Sequence, residues 1–397
     1  MEYVIIGNGV AGTTAAAAIR KNDPSGTIRM ITDEAQPFYS RIRLMEYLSG
    51  EVDPAKLQIK KDAWYAENRI DLILNDRVTG IAPAEREVAT ASGKKFRYDR
   101  LLLATGADSF LPPITGAGKP GVFTLRNIRD AEAIKQYAAG KKKALLIGGG
   151  LLGLEVGNSL RKAGLEVSVA EFFPRLLPRQ TDPACAELLK GRLEQMGFIF
   201  YLGVKSKEIA GEAAAQGLIL EDGRRIDTDL VIVSAGVRPS LELAKKAGIK
   251  VDKGIAVNDR LETDIPGIYA AGDAVEHRGL VYGIWPAAEQ QGEIAGTDMA
   301  GGSAEYHGTT FSNQLKVVGI DLLAVGDLDP DGKLESFVDM NREVGTYRKL
   351  VLKDNTIAGV LLFGSLEGRG KLLKAVEQKT DVSGIKEQLA RFDLSGL

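Results

Sequence analysis

Residues 3–6 read Tyr-Val-Ile-Ile, an unbroken apolar run closed by glycine, and the alanine-rich stretch TTAAAAIRKND follows. An unbroken apolar run suits a strand buried on both faces. The pattern therefore predicts a strand (EYVIIG), a turn (NGVAG), a helix ended by Asn22, Asp23 and Pro24, and a second strand, TIRMITDE. The same order recurs as KALLIG, GGLLG, LEVGNSLRKAG and LEVSVAE. Two further apolar runs end alike, LLLATGA at 101–107 and VIVSAGV at 231–237. Past residue 308 the texture changes: QLKVVGIDLLAVGD, TYRKLVLKDNTIAGVLLFG and a lysine-rich close predict a small α+β unit. The expected class is α/β, with two Rossmann-like dinucleotide-binding domains and a small α+β C-terminal domain.

Composition narrows this only a little. With 397 residues, 44% hydrophobic and 26% charged, the chain has the make-up of a soluble protein of two or three domains. A formal net charge of −2 gives no reason to expect a nucleic-acid partner. No apolar run reaches the ~18 residues of a membrane span, and MEYVIIGNGVAG lacks the basic start of a signal peptide. The single cysteine, Cys185, rules out an internal disulfide, and one thiol cannot hold an iron–sulfur cluster. In TDPACAELLKGRLEQMG it is expected as a small buried apolar residue on a helix, in a protein of the reducing cytoplasm.

The glycine turns carry the candidate chemistry. In the first, Gly7, Asn8, Gly9, Val10, Ala11 and Gly12 follow one another. Gly7 permits a tight turn, Gly9 lets backbone approach a pyrophosphate, and Gly12 permits close helix–strand packing. The ribose acid is expected about twenty residues on, at the end of the second strand, where Asp33 and Glu34 stand and Glu34 is chosen. The second turn is Gly148-Gly149-Gly150-Leu151-Leu152-Gly153, with Gly157 beyond and Glu171 as its acid. A carboxylate there accepts a free 2′-hydroxyl and repels a 2′-phosphate, favouring NADH over NADPH, although Arg175 nearby argues the other way. Two dinucleotide turns imply two dinucleotides, and a nicotinamide giving hydride to a flavin uses both. His277 and His307 have no carboxylate or second histidine at catalytic or metal spacing and read as incidental; no metal is expected.

A third stretch, TDIPGIYAAGD, ends in Gly272-Asp273. Here the whole chain resembles the FAD-dependent pyridine nucleotide-disulfide oxidoreductase superfamily. The resemblance rests on the two turns and on the strand ends Ala104-Thr105-Gly106 and Ser234-Ala235-Gly236, the latter with Ser-Ala for Ala-Thr, followed by the late Gly-Asp. It implies that Asp273 binds the ribityl–phosphate region of FAD. It also implies that the helix opening at Trp285 points its N-terminus at the flavin, with Trp285 beside the ring or an ordinary core aromatic. Ala235 and Gly236 would border NAD.

The segment PFYSRIRLMEYLSG, residues 37–50, has Ser40 and Arg41 where the disulfide-reductase branch carries its redox cysteine. The phrase YSRIRL is similar to the branch containing NADH:rubredoxin oxidoreductase and the flavin domain of the nitrite reductase large subunit. That likeness implies an FAD-dependent NAD(P)H oxidoreductase passing electrons from FAD to a rubredoxin-like protein or a partner electron-transfer subunit. An NADH oxidase and a flavin-binding redox-sensing interaction protein are the alternatives. Arg41 and Arg43 would steady the flavin or attract an acidic carrier. Relatives pair a lysine with a glutamate of the second turn; here these are Glu46 and Glu155, two carboxylates that would repel or share a proton. The FAD domain is expected at 1–112 and 239–307, the NAD(H) domain at 113–238, and the C-terminal unit at 308–397, serving a homodimer or acceptor docking.

Overall fold

The structure is a computed structural model that describes residues 1–309 and 312–397. β1 (Glu2–Ile6), α1 (Val10–Asn22) and β2 (Thr27–Ile31) open the chain. The short helices α2 (Leu44–Leu48) and α3 (Asp62–Glu67) precede β3 (Ile70–Ile73) and β4 (Arg100–Leu103). Next come β5 (Val122–Phe123), α4 (Ile128–Ala138), β6 (Lys143–Ile147) and α5 (Leu151–Lys162). β7 (Glu166–Glu171), α6 (Pro183–Gln195), β8 (Phe198–Leu202) and β9 (Leu230–Val233) follow. Then β10 (Ile268–Ala270) and α7 (Trp285–Met299) appear. The chain closes with β11 (Ser312–Val317), β12 (Ile320–Gly326), β13 (Glu335–Asn341), β14 (Thr346–Lys353) and β15 (Thr356–Phe363), then α8 (Arg369–Glu377) and α9 (Lys386–Ala390). No helix among the described residues is long and apolar enough to cross a membrane.

The first sheet has the order β10-β4-β1-β2-β3, with every pair parallel. The apolar run of β1 explains its central place. Its side chains alternate between two cores: Tyr3 and Ile5 join Ile19 of α1 and Met299 of α7, while Val4 and Ile6 join Val78, Val88 and Ile249. Each such side chain is worth about 1.5–3 kcal/mol of burial. Helices α1 and α7 touch backbone to backbone. A Cβ on Gly292 would lie 2.5 Å from the Ala11 carbonyl oxygen, and one on Gly296 2.4 Å from that of Ala15.

The second sheet repeats the plan in the order β8-β7-β6-β9-β5, again all parallel. The third is antiparallel, β11-β12-β15-β14-β13. Its inner face packs Leu323, Leu350 and Leu362 against Leu372 of α8 and Leu389 of α9. β14 and β15 alternate only over their first residues and are then buried continuously, as strands with a neighbour on each side in the sheet.

Two compact units emerge: Met1–Arg43, Val52–Ser109 and Val237–Thr309 in one, Leu44–Glu51, Phe110–Gly236 and the C-terminal residues in the other. Two features differ from the expected boundaries. Residues 44–51 group with the second unit because Ser159 Oγ donates to the Met45 carbonyl at 2.9 Å, Lys162 pairs with Glu51 at 2.5 Å, and the Lys135 ammonium lies 4.8 Å from the Tyr47 ring centre. The C-terminal sheet has its own core but groups with the second unit too. Tyr347 donates its hydroxyl to Asp182 at 2.5 Å, and Arg192 donates to the Val344 carbonyl at 2.6 Å. The chain leaves and re-enters the first unit side by side, since residues 107–109 pair antiparallel with 237–239.

Candidate functional site

The first glycine turn is set by contacts that exclude side chains. Gly7 has φ 113°, and a Cβ there would lie 2.1 Å from the Ala104 carbonyl oxygen; a Cβ on Gly12 would lie 2.1 Å from that of Gly7. Above Gly9 the space is open, with no atom within 4 Å of a built Cβ. No side chain caps α1 at Gly9, so the amides of its first turn, among them those of Val10, Ala11 and Gly12, remain for an anion. The Tyr65 hydroxyl accepts from the Phe38 amide at 3.0 Å and donates to Asn8 Oδ1 at 2.8 Å. That bond fixes the amide of Asn8 so that its buried Nδ2 has no partner among the described residues. An open turn, uncapped amides and a spare buried donor fit the phosphates of a dinucleotide.

Around this turn the other expected residues of the first unit gather. Ala104 follows β4 and donates its amide to Ile6, beside Gly7. Thr105 Oγ1 donates to the Ser240 carbonyl at 3.2 Å, and Gly106 has φ 69°. Gly272, at φ 88°, lies against α1: a Cβ there would be 3.1 Å from the Ala11 methyl. Half-buried Asp273 comes next in the chain. The Gly272 amide donates to Gln291 Oε1 at 2.8 Å, and Gln291 is 1% exposed. Sequence reasoning missed this glutamine. Its signal was a polar residue on the buried stripe Ala287, Ala288, Gln291, Gly292, Ala295 of α7. Trp285, the first residue of α7, is half-buried and its ring centre lies 5.9 Å from that of Phe38. Glu34 lies beyond β2, largely buried, whereas Asp33 is exposed. Glu34 accepts from the Tyr39 hydroxyl and the Arg41 guanidinium, so Arg41 is tied to the acid.

The second turn repeats the backbone. Gly148 has φ 114°, and its Cβ would lie 2.3 Å from the Ser234 carbonyl oxygen; a Cβ on Gly153 would lie 2.3 Å from that of Gly148. Gly150 is open, as Gly9 is, and Gly157 packs on Leu146. Leu151 and Leu152 begin α5, with Leu152 36% exposed. Ala235 and Gly236, at φ 95°, follow Ser234, whose amide bonds Ile147. Glu171 is 6% exposed, and both its oxygens are used: Oε2 accepts from the Gly149 amide at 2.5 Å and Oε1 from the Phe173 amide at 2.8 Å. Arg175 donates to the carbonyls of Thr181 and Pro178 in its own loop, at 3.3 and 3.0 Å.

Glu155, half-buried on α5, accepts from the Val318 amide at 2.6 Å. Burial pushes its carboxyl up, while the Val318 amide and the Lys162 charge act the other way. Glu46 stands in the first turn of α2. Cys185 is fully buried near the start of α6, and burial pushes its thiol up.

His277, read as incidental, has a carboxylate beside it in the fold. Its Nε2 lies 2.8 Å from Asp259 Oδ1, and the Tyr306 ring packs 4.9 Å away. The Arg278 guanidinium, then His277, holds the Asp259 carboxyl down at about 2. Chain spacing gave no sign of this pair because strand pairing brings it together. His307 is exposed, 3.9 Å from Glu305.

Against this geometry the comparisons with known proteins can be set. The pattern of the Pyridine nucleotide-disulphide oxidoreductase family matches residues 1–292, and that of the Rubredoxin NAD+ reductase C-terminal domain matches residues 312–380. The chain is 36% identical over 386 residues to a nitrite reductase (NAD(P)H) of Bacillus subtilis, covering 96% of this chain and 48% of that protein. It is 36% identical over 342 residues to an NADH oxidase of Methanocaldococcus jannaschii, covering 82% and 76%. The crystal structure of NADH:rubredoxin oxidoreductase from Clostridium acetobutylicum superimposes with a TM-score of 0.83 at 30% identity, covering 100% of this chain and 99% of that one. The chain spans about half the length of the Bacillus subtilis relatives it matches.

Proposed function

Because the chain belongs to the pyridine nucleotide-disulphide oxidoreductase family, whose members depend on FAD and NAD(H), we propose that it takes hydride from NADH onto FAD and passes the electrons directly to a small redox protein. Rubredoxin, or a partner electron-transfer subunit, is the acceptor class. The observation that carries this reading is the thiol inventory. The one cysteine is buried on α6, and Ser40 and Arg41 stand in the segment where the disulfide-reductase branch carries its redox cysteine, so this chain brings no dithiol of its own. The relatives named for rubredoxin and the C-terminal match support the acceptor.

In this reading residues 1–112 and 239–307 are the FAD domain. When bound, FAD accepts two electrons as hydride and supplies them to one-electron acceptors. The uncapped amides of α1 and the spare Nδ2 of Asn8 hold its phosphates, and Asp273, beside Gly272, holds the ribityl–phosphate region. Glu34, steadied by Tyr39 and Arg41, takes the ribose, and Trp285 borders the ring. Residues 113–238 are the NAD(H) domain, with Glu171 for the nicotinamide dinucleotide's ribose and a preference for NADH. Glu155 is the carboxyl nearest the chemistry by kinship, with Glu46 a weaker candidate. Burial makes Glu155 hold its proton to higher pH than an exposed glutamate. The C-terminal unit, 308–397, serves dimer formation or acceptor docking, and the compartment is the reducing cytoplasm.

The balance is one NADH and two oxidised one-electron carriers giving NAD+, one proton and two reduced carriers. The test is anaerobic stopped flow: the protein reduced with one equivalent of NADH is mixed with oxidised rubredoxin. Reoxidation much faster than with dissolved oxygen is expected. Faster reoxidation by oxygen would favour an NADH oxidase, the activity for which the Methanocaldococcus jannaschii relative is named. Slow reoxidation by both would leave a redox-sensing interaction protein.

A further inference from the structure

Two exposed phenylalanines stand beside the second glycine turn. Phe172 is 60% and Phe173 48% exposed, while every other described phenylalanine is buried or half-buried. An aromatic ring left in water forfeits the burial that holds such residues inside. The pair follows Glu171 directly, at the carboxyl end of β7 in an all-parallel sheet. Ligands bind open α/β sheets outside the carboxyl ends of their strands. Glu171 in turn holds the Gly149 amide of the turn, so the first ring stands one residue from a group that touches it.

The backbone beneath the rings is fixed. The Phe173 amide donates to Glu171 Oε1 at 2.8 Å, and the Phe173 carbonyl accepts from the Gly203 amide at 2.9 Å. The Val204 amide donates to the Glu171 carbonyl at 3.0 Å. The two rings brace each other edge to face, with centres 5.3 Å apart and planes at 89°. A rigid aromatic loses little freedom on meeting a flat partner. The polar side chains nearest the pair in the chain are engaged elsewhere. Both oxygens of Glu171 accept from backbone amides, and Arg175 donates to the carbonyls of Pro178 and Thr181. The pair therefore offers a π face, and these neighbours offer no spare group to read the edge of a base.

We propose that Phe172, braced by Phe173, is the stacking platform for the base of the nicotinamide dinucleotide, and that the chain reads the face of that base and not its hydrogen-bonding edge. The inference rests on the reading of residues 113–238 as the NAD(H) domain. Stacking tolerates changes of base because every base has a π face. The base end of the substrate is thus selected as a flat ring, and hypoxanthine serves as well as adenine. Two part-exposed rings can cover one base, but they fall far short of the ~800 Å² per partner of a standard protein interface.

The test is isothermal titration calorimetry on the oxidised, flavin-loaded protein with three probes that carry no hydride. ADP-ribose has the base and lacks nicotinamide, inosine diphosphate ribose has hypoxanthine for adenine, and nicotinamide mononucleotide lacks the adenosine half. The wild type is expected to bind the first two within about threefold of each other. Phe172→Ala should weaken both at least about tenfold, and Phe172→Trp should restore them. Neither variant should change the response to nicotinamide mononucleotide. Because the position is exposed, both should keep the wild-type circular dichroism and flavin content. Unchanged ADP-ribose affinity in Phe172→Ala overturns the proposal. So does a wild type that binds the hypoxanthine probe more than about tenfold more weakly than ADP-ribose, because an edge is then being read. A loss that extends equally to nicotinamide mononucleotide, or that tryptophan does not restore, marks a merely structural role and overturns it too. A wild type that does not bind ADP-ribose at all removes the NAD(H) reading itself, and the proposal with it.

Discussion

The two glycine turns have nearly the same backbone and opposite electrostatics. Gly7 and Gly148 share φ values of 113° and 114°, and each presses on the carbonyl that ends a neighbouring strand, Ala104 or Ser234. Behind Gly7 stands Asn8, oriented by Tyr65, with a donor left over. Behind Gly148 stands Gly149, whose amide is already taken by the Glu171 carboxylate. One turn therefore offers a spare positive dipole, and the other spends a donor on a negative charge. Sterics set the shape of such a turn, while its neighbours set how strongly it holds an anion. In the proposed reaction the first ligand stays through many turnovers and the second leaves after each one, and the asymmetry has the matching direction.

The largest expected effect breaks a turn outright. Gly12→Val puts a side chain onto the Gly7 carbonyl and should cost about 3 kcal/mol or more in chemical denaturation. Gly9→Ala, three residues earlier and in open space, should change stability by less than about 0.5 kcal/mol. It should nonetheless lower the flavin content of the purified protein, because its methyl enters the space above the turn. Equal stability losses for the two variants would mean that the turn is not packed as described.

Next in size is the spare donor. Tyr65→Phe removes the bond that orients Asn8, and Asn8→Ala removes the donor itself. Each should weaken FAD binding to the apoprotein about tenfold, the worth of one hydrogen bond, as read by fluorescence titration. Unchanged affinity in both would dissolve the contrast between the turns. Glu171→Ala should relax selectivity for NADH over NADPH by about tenfold, measured as the ratio of dissociation constants. It should also speed exchange of the Gly149 amide.

The smallest effects are in acid, where the two units should respond in opposite senses. Asp259 is held below its ordinary 3.8, at about 2. The stability it adds is present above 3.8 and is lost as the pH falls toward 2. Glu155 is raised above its ordinary 4.5, so its contribution is full below that value and is lost as the pH rises through the folded-state value. Thermal midpoints should therefore show Asp259→Asn flattening the acid limb, while Glu155→Gln flattens the decline above 4.5. A wild-type slope retained in either variant would remove that residue from the account.

Strands, turns and helices were legible in the sequence because each is specified by neighbours in the chain. The run Val4-Ile5-Ile6 needs two covered faces, and Gly7 needs no Cβ. What stayed hidden depends on partners far apart in sequence. Asn8 gains its orientation from Tyr65, His277 its carboxylate from Asp259, and Glu155 its amide from Val318. No spacing rule links such pairs. The ties of residues 44–51 stayed hidden for the same reason: Tyr47 and Glu51 find Lys135 and Lys162 only in the folded chain.

A ribosome delivers this chain from its N-terminus, and the interruption of the first unit then sets an order of assembly. When β9 emerges, the second sheet has all five of its strands, while the first still lacks β10 and α7. The inserted part can close during synthesis. The first glycine turn, made before the insert, must wait for Gly272 to reach Ala11 and for Gly292 and Gly296 to seat on α1. A part made before the insert is thus finished after it, and until then its apolar helix face stays open to chaperones.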